Sequence, residues 1–293
     1  MMHVPVMTAE VLQYLLPARG GVFVDCTVGL GGHSQALLEA GASRVIGLDR
    51  DRDALARAQQ TLAPWGTRVD LVHADYRDCD AVLSARGIDL VDGALADLGV
   101  SSLQFDAPGR GFSFQRDEPL DMRMDQSDGE TAADLVARAT EEELADAIFQ
   151  YGEERFSRRI ARALVQARQD ARIDTTGALA AIVRRSIPRR GPMRIDPATR
   201  TFQALRIWVN RELDGLDRFL ESLVHRLHAG ARLAVIAFHS LEDRIVKHTF
   251  RALDRRDGLV TVLTKRPLVA GEDEVRRNPR ARSAKLRVAE RMA

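Results

Sequence analysis

Carboxylates and glycines stand near the N-terminus of this chain at positions where together they could bind a small ligand. A glycine-rich turn lets backbone N–H groups approach an anion, because no Cβ stands in the way. A carboxylate can accept hydrogen bonds from hydroxyl groups or pair with a cation. The set consists of Asp25, Gly29, Gly31, Gly32, Asp49, Asp75 and Asp97. These residue types predict a site for a polar, nucleotide-like ligand.

Each of these acids lies at or just beyond the end of an apolar run that predicts a buried β-strand. The predicted strands are 21–26, 44–49, 68–73 and 88–97, and the predicted helices between them are 32–40, 51–62 and 78–86. This alternation favours parallel strands with right-handed crossovers, whose carboxyl ends line one crevice. Alternatively, Asp49, Asp51 or Asp75 could simply cap helices.

The glycine spacing distinguishes between nucleotide ligands. A dinucleotide-binding fingerprint would require a third glycine at position 34, where the chain has Ser34. The acid at the strand end followed by x-T-x-G-x-G-G instead resembles the first motif of S-adenosylmethionine-dependent methyltransferases. Asp49, about 20 residues past Gly29, stands where a ribose-binding carboxylate belongs. A nicotinamide-dependent oxidoreductase is therefore the least favoured class.

Beyond the fourth strand the regular alternation stops. Residues 105–125 show no periodicity but contain aromatic residues and methionine, which predicts an ordered lid or wall. The pattern from Thr131 to about Arg206 is helical, which predicts an all-α insertion. A helix over about 214–228 precedes a fifth strand at 232–238, and two final strands are expected at 260–263 and 286–288. The fold class is thus α/β with an inserted helical domain.

Composition and charge limit the function further. The chain has 293 residues, two cysteines and a net charge of +1, and no apolar run approaches 18 residues. We expect a cytoplasmic protein without a disulfide framework or membrane association, in which Cys26 and Cys79 fill core space. Fourteen arginines between Arg155 and Arg211 face only three aspartates, which favours a phosphate-rich partner.

Several longer segments resemble the ribosomal small-subunit RNA methyltransferase H family, and the match extends over nearly the whole chain. The segments are Gly29–Ser34, Asp97–Gln104, Arg110–Phe114, Pro119–Asp125, Tyr151–Arg155, Thr199–Ala204, Phe238–Arg244 and Asn278–Ser283. The family usually has glycine before the lid proline, where this chain has Glu118.

The resemblance implies a Rossmann-like class I methyltransferase sheet of seven strands, formed by residues 1–105 and 207–293. Residues 106–206 would form the inserted lid loop and a helical substrate-recognition domain. The implied reaction is transfer of a methyl group from S-adenosylmethionine to N4 of a cytidine in the decoding centre of 16S rRNA. The implied cofactor contacts are Gly31, Gly32, His33, Asp49, Tyr76, Asp97 and Gln104, with no metal ion.

The catalytic residue stays open among several candidates. Cytosine N4 shares its lone pair with the ring, so catalysis needs acceptors that hold its N–H groups and align the transfer. Asp97, the backbone near Leu98, His239 and Ser240 are the candidates, although His239 could equally be a buried structural histidine. We expect the target base to be splayed into a cleft beside the sheet, and Arg189 and Arg190 to bind the RNA.

Two other classes of function remain as alternatives. The chain could methylate another nucleic acid such as DNA, or it could be a binding module for S-adenosylmethionine in ribosome assembly without catalysis. The expected partner is 16S rRNA in the small ribosomal subunit, and a homodimer stays open.

Overall fold

A computed structural model describes residues 5–101, 104–105, 107–188, 195–256 and 258–293. The chain divides into two compact units: unit 1 comprises Met1–Ser101 and Leu213–Ala293, and unit 2 comprises Ser102–Glu212. The chain leaves unit 1 once and returns to it once, as an insertion does. The sequence pattern predicts the insertion at 106–206, and these bounds lie four and six residues inside the limits of unit 2.

Unit 1 is built on a mixed β-sheet with the order β3-β2-β1-β4-β5-β8-β6, and β7 pairs with β8 off this path. The strands are β1 (Val22–Asp25), β2 (Arg44–Asp49), β3 (Val69–His73), β4 (Val91–Asp97), β5 (Leu227–Ala237), β6 (Val260–Val262), β7 (Leu268–Val269) and β8 (Lys285–Arg291). Strands β1 to β5 are parallel, and β8 runs antiparallel to both β5 and β6. The predicted α/β class is therefore confirmed.

Two details of the sheet differ from the sequence-based expectation. Seven strands lie side by side as predicted, but β7 adds an eighth strand of two residues, too short to show any periodicity. Strand β5 begins at Leu227, five residues before the predicted start. Leu227 pairs with Val91, after which the register shifts so that Gly93 pairs with Arg232.

Helices cover both faces of this sheet. The helices that precede the insertion are α1 (Thr8–Leu15), α2 (Gly32–Glu39), α3 (Arg52–Leu62) and α4 (Cys79–Ser84). Unit 2 has helices of its own, which are α5 (Ala132–Arg138), α6 (Glu141–Gly152), α7 (Ser157–Asp170), α8 (Thr176–Ser186) and α9 (Ala198–Asn210). After the insertion come α10 (Leu216–His225), α11 (Ser240–Arg255) and α12 (Glu272–Arg277).

Alternate residues of the central strands enter separate apolar clusters, because successive side chains of a strand point to opposite faces. Phe23 packs in the cluster that α1, α2 and α3 cover, whereas Val24 packs in the one that α4, α10 and α11 cover. Both residues are almost completely buried. This double burial explains why β1 reads as an unbroken apolar run rather than an alternating one.

Unit 2 is an all-α bundle joined to an irregular but packed segment. Phe112, Leu120 and Met122 of this segment are buried, and Pro119 forms an isolated bridge with Thr175. The Asn210 side chain donates to the Met122 carbonyl and accepts from the Met124 amide.

Glu118, the departure from the family pattern, is buried within the same segment. Its two carboxylate oxygens accept hydrogen bonds from the Gly109 and Gly111 amides, at 2.9 and 3.2 Å. Glu118 therefore fixes the loop from inside.

Candidate active site

The turn between β1 and α2 is held open by both neighbouring strands. The Cys26 amide donates to the Leu95 carbonyl and the Val28 amide donates to the Leu48 carbonyl, each at 2.8 Å. Gly29 and Gly31 have φ angles of 52° and 87°, the left-handed region that favours glycine. The turn thus has the shape that its glycine spacing predicted.

The backbone amides of Gly31, the N-cap of α2, and of Gly32 and His33, its first two residues, differ in their hydrogen bonding. The Gly31 amide donates to the Val28 carbonyl at 2.8 Å, so it closes the turn. The amides of Gly32 and His33 lie in the first turn of α2, where backbone N–H groups have no acceptor within the helix. A Cβ on Gly31 would lie 3.1 Å from Leu62, so this position needs glycine for space as well. The backbone donors that can face an anion are therefore those of Gly32 and His33.

Asp49 ends β2 and accepts two backbone hydrogen bonds. Its Oδ2 accepts from the Gly29 amide and its Oδ1 from the Asp51 amide, both at 2.8 Å. Burial raises the pKa of Asp49 to about 6, against the lowering effect of these two donors. Asp51, not Asp49, caps α3, since its side chain accepts from the amides of Asp53 and Ala54. The position of Asp49 is therefore explained by the glycine loop rather than by a helix end.

Asp97 ends β4 and is tied to the same loop. Its amide donates to Oγ1 of Thr27 at 2.6 Å. Its Oδ2 lies 3.5 Å from Nε2 of His33, while its buried Oδ1 has no hydrogen-bond partner among the described residues. A buried carboxylate oxygen without a donor carries a desolvation cost that a bound donor would relieve. Asp97 therefore offers an acceptor to a ligand.

His33 is buried beside two carboxylates. Burial alone would lower its pKa, but Asp97 and Asp25 favour the protonated ring and raise the pKa overall. Neither ring nitrogen has a hydrogen-bond partner within the described part of the chain. The imidazole is thus placed to balance the negative charge of Asp97.

Asp25 and Ser34 form a pair that the sequence analysis did not anticipate. Asp25 is fully buried, and its Oδ2 accepts a hydrogen bond of 2.7 Å from the Ser34 hydroxyl. Burial raises the pKa of Asp25, although His33 and this hydrogen bond lower it in part. Ser34 was interpreted only as a missing glycine. Its hydroxyl connects the end of β1 to the first turn of α2. An acid followed nine residues later by a serine is the sequence signal from which this hydrogen bond could have been predicted.

Tyr76 and Asp75 follow β3. The Tyr76 ring is half-buried and packs against Phe219, with centroids 4.7 Å apart. Asp75 caps the short 3-10 helix Tyr76–Asp78 and pairs with Arg77 and Arg50. Asp75 was predicted either to bind a ligand or to cap a helix, and these contacts account for the helix cap.

His239 and Ser240 follow β5, the strand beside β4. His239 is the N-cap of α11, and its Nδ1 accepts from the Glu242 amide at 3.4 Å. The Glu242 carboxylate in turn accepts from the amides of Phe238 and His239. Ser240 is half-buried at the first position of α11. The capping arrangement gives His239 a structural role, and a catalytic role for either residue stays a prediction.

The three predicted site residues that remain, Gln104, Arg189 and Arg190, belong to the segment Ser102–Glu212. Gln104 is a buried residue of unit 2. Arg189 and Arg190 lie outside the described residues. Within the described part of the chain, no helix combines the length and the apolar character needed to cross a bilayer.

S-adenosylmethionine fits the residues of unit 1. Its carboxylate matches the Gly32 and His33 amides, its ribose hydroxyls match Asp49, and its amine matches the partnerless oxygen of Asp97. The half-buried Tyr76 ring offers an apolar surface to the adenine. The donors and acceptors thus complement each charged or polar part of this ligand.

The sheet order and the glycine turn define the Rossmann-like methyltransferase class. A solved rRNA methylase from Streptococcus thermophilus aligns with 100% of this chain and 99% of its own length, at 14% identity and a TM-score of 0.44. A sequence model of the MraW methylase family matches residues 1–292. The chain belongs to this family, as the resemblance predicted.

Curated relatives are similar over almost their full length. A protein named ribosomal RNA small subunit methyltransferase H from Sorangium cellulosum is 54% identical, covering 99% of this chain and 91% of the relative. A protein of the same name from Nitrobacter hamburgensis is 51% identical, again covering 99% of this chain and 91% of the relative.

Proposed function

We propose that this protein transfers a methyl group from S-adenosylmethionine to N4 of a cytidine in the decoding centre of 16S rRNA. Asp97 carries the proposal, because its buried oxygen without a donor stands at the end of β4 beside the glycine turn. The names of the curated relatives support the rRNA of the small subunit as substrate. The resemblance noted in the sequence supports the base and the position.

When bound, S-adenosylmethionine would supply an electrophilic methyl group on its sulfonium sulfur. The Gly32 and His33 amides hold its carboxylate, and Asp49 accepts from its ribose hydroxyls. The turn between β1 and α2 forms one hydrogen bond with Asp49 and one with Asp97. The Gly29 amide donates to the Asp49 carboxylate, and the Asp97 amide donates to Oγ1 of Thr27. These connections would position the donor before the base arrives, so that positioning would supply most of the catalysis.

Asp97 is the preferred acceptor for the cytosine amine. Beside the cofactor amine, the carboxylate has further lone pairs that can accept from an N–H group of N4 and direct the nitrogen lone pair at the methyl carbon. The backbone near Leu98 and the side chains of His239 and Ser240 are the other candidates. His239 is less favoured, because its Nδ1 is engaged in the cap of α11.

Residues 106–206 would recognise the RNA, and the rest of the chain, 1–105 and 207–293, would form the methyl-transfer domain. The arginine content of the insertion supports this division, since arginine donates paired hydrogen bonds to phosphate. Gln104 stays a proposed cofactor contact at the edge of the insertion. The reaction would take place in the cytoplasm, where the small subunit is found, and a homodimer stays open.

A transfer assay tests the substrate. The protein and radiolabelled S-adenosylmethionine would be incubated with unmodified small subunits, free 16S rRNA or duplex DNA, and label retained on a filter would be counted. We expect label in RNA of the small subunit and none in DNA. Label in duplex DNA would show that the chain methylates another nucleic acid. Binding of S-adenosylmethionine without label in any substrate would indicate a non-catalytic assembly module.

A further inference from the structure

We propose that an exposed arginine face on helix α7 of unit 2 binds backbone phosphates of the RNA substrate. The arginine face consists of Arg158, Arg159 and Arg162 of α7 and of Arg155, which lies just before the helix, all of them exposed. This inference rests on the proposed function, because it names the surface with which the enzyme would hold rRNA. It places RNA binding on described residues of the insertion.

The helical period places these arginines together. At about 100° per residue, Arg158, Arg159 and Arg162 lie within a sector of roughly 100° on α7. The opposite sector is buried and contains Ser157, Ile160, Ala161 and Leu164. The apolar sector fixes how α7 sits in the bundle, so the arginines necessarily point to solvent.

The arginine face has few partners of its own. The side chains of Arg158 and Arg159 form no hydrogen bond or ion pair with the residues that the structure describes. Arg155 stacks on the Phe156 ring at 4.8 Å, and Arg162 lies 3.4 Å from an exposed Glu141. Other arginines of unit 2 are engaged: Arg138 with Glu130, Arg172 with Asp134, and Arg184 with Asp196. The charge of the arginine face is therefore available to a partner.

The position of Arg158 and Arg159 on the helix would favour a bound anion. Arg158 and Arg159 lie in the first turn of α7, which has no acidic residue. Cations there are unfavourable, because the N-terminal end of a helix carries a partial positive charge. A phosphate bound beside them would reverse this effect and would receive paired hydrogen bonds from the guanidinium groups.

The preceding helix has the opposite sign, which orients the partner. Glu142 and Asp146 are exposed on α6, on the side of that helix away from its buried residues. A polyanion would be repelled from this acidic surface and attracted to the arginine face. The charges of these two helices thus favour contact of a polyanion with α7 rather than with the exposed acids of α6.

The triple substitution R158Q/R159Q/R162Q tests the proposal, because glutamine keeps helix propensity while it removes three charges. Binding to unmodified small subunits would be measured over a range of KCl concentrations, together with KM and kcat for methyl transfer. We expect at least about tenfold weaker binding, with a salt slope reduced by about 2. The kcat and the Kd for S-adenosylmethionine should stay within about twofold of the wild type.

Two matched variants serve as controls. R57Q/R251Q/R255Q removes three exposed arginines from α3 and α11 of unit 1 and should bind subunits like the wild type. R158K/R159K/R162K keeps the charge and should retain most of the binding. Melting curves would verify that each variant is folded.

The outcomes separate the two proposals. If the wild type neither binds nor methylates subunits, the proposed function fails. If the wild type is active and R158Q/R159Q/R162Q binds with unchanged affinity and salt slope, the arginine face is not the RNA surface. Equal weakening in R57Q/R251Q/R255Q would also overturn the inference, because net charge rather than position would then be responsible.

Discussion

Asp97 joins the cofactor to the acceptor base in the proposed reaction. Its backbone is fixed by Thr27 and one of its carboxylate oxygens approaches His33, which leaves the other oxygen for a ligand. The sequence alone leaves Asp97 as one of several candidate acceptors, because it does not show which side chains have a free oxygen. The partnerless Oδ1 of Asp97 supports this residue among the candidates.

Asp97→Asn tests this role with little change in shape. We expect the Kd for S-adenosylmethionine, measured by calorimetry, to rise about tenfold to 100-fold, as loss of a charge-assisted hydrogen bond predicts. Methyl transfer should fall to background while the melting temperature changes by only a few degrees. Wild-type affinity together with wild-type turnover would remove Asp97 from the mechanism.

The raised pKa of Asp49 predicts a pH dependence of cofactor binding. The carboxyl titrates at about 6 because it is buried, and only the ionised form accepts from both ribose hydroxyls. Affinity for S-adenosylmethionine should therefore be constant above pH 7 and fall by up to about tenfold per pH unit below 6.

The same shift predicts the sign of its effect on folding. Because the folded pKa lies above the unfolded value, protonated Asp49 favours the folded state at low pH. This contribution is lost as the pH rises from about 4 to about 6.

Asp49→Asn is the control for the pH dependence of cofactor binding, because it has no titrating group at this position. Calorimetry between pH 5 and 7.5 should show weaker binding of S-adenosylmethionine that varies less with pH than in the wild type. A flat profile in the wild type would contradict the assignment.

At the scale of elements, the β1–α2 turn depends on glycine conformation. Gly31→Ala places a Cβ at a φ of 87° and 3.1 Å from Leu62. We expect a loss of about 1–2 kcal/mol in unfolding free energy from the left-handed conformation, with some further loss from crowding. Cofactor affinity should fall as well, because Gly31 is the N-cap of α2 and precedes the Gly32 and His33 amides.

Gly87→Ala is the matched control for that prediction. Gly87 has a φ of 65°, but a Cβ there meets no atom within 4 Å. This variant should show the conformational cost in chemical denaturation without any change in cofactor binding. Equal cofactor affinity in Gly31→Ala and Gly87→Ala would contradict the role assigned to the turn.

Helix α11 allows a test of the two readings of His239. Asparagine is a strong N-cap residue, so His239→Asn should preserve the stability of the protein within about 0.5 kcal/mol. We expect most of the transfer rate to remain, since the cap accounts for the contacts of the imidazole. Loss of transfer in a stable His239→Asn protein would instead make His239 a catalytic residue.

Local patterns made most of these elements predictable. Thr131 and Thr140 form capping boxes with Asp134 and Glu143, as the spacing of threonine and acid indicates. Helix α12 was not predicted, because it has six residues and none of them is buried. Its Glu274 nevertheless accepts from the Met7 amide at 2.7 Å, a contact across 267 positions. Contacts of that kind depend on the tertiary fold and leave no local signal.

At the scale of the whole molecule, the net charge is only +1, but acidic and basic residues are unevenly distributed along the chain. Unit 1 contains the donors and acceptors suited to a sulfonium cofactor, and unit 2 contains exposed arginines suited to phosphate. The sequence predicts an insertion, because the β-α alternation stops after β4 and resumes at β5. It could not reveal which arginines are engaged in ion pairs, since that depends on packing within unit 2.

The most direct test of the whole account is the identity of the methylated nucleoside. Unmodified small subunits would be incubated with the protein and isotopically labelled S-adenosylmethionine, and the digested RNA would be analysed by mass spectrometry. The account predicts one labelled product, a cytidine methylated at N4, from a decoding-centre fragment of 16S rRNA. A label on carbon 5, on ribose or on another base, or no labelled nucleoside at all, would contradict it.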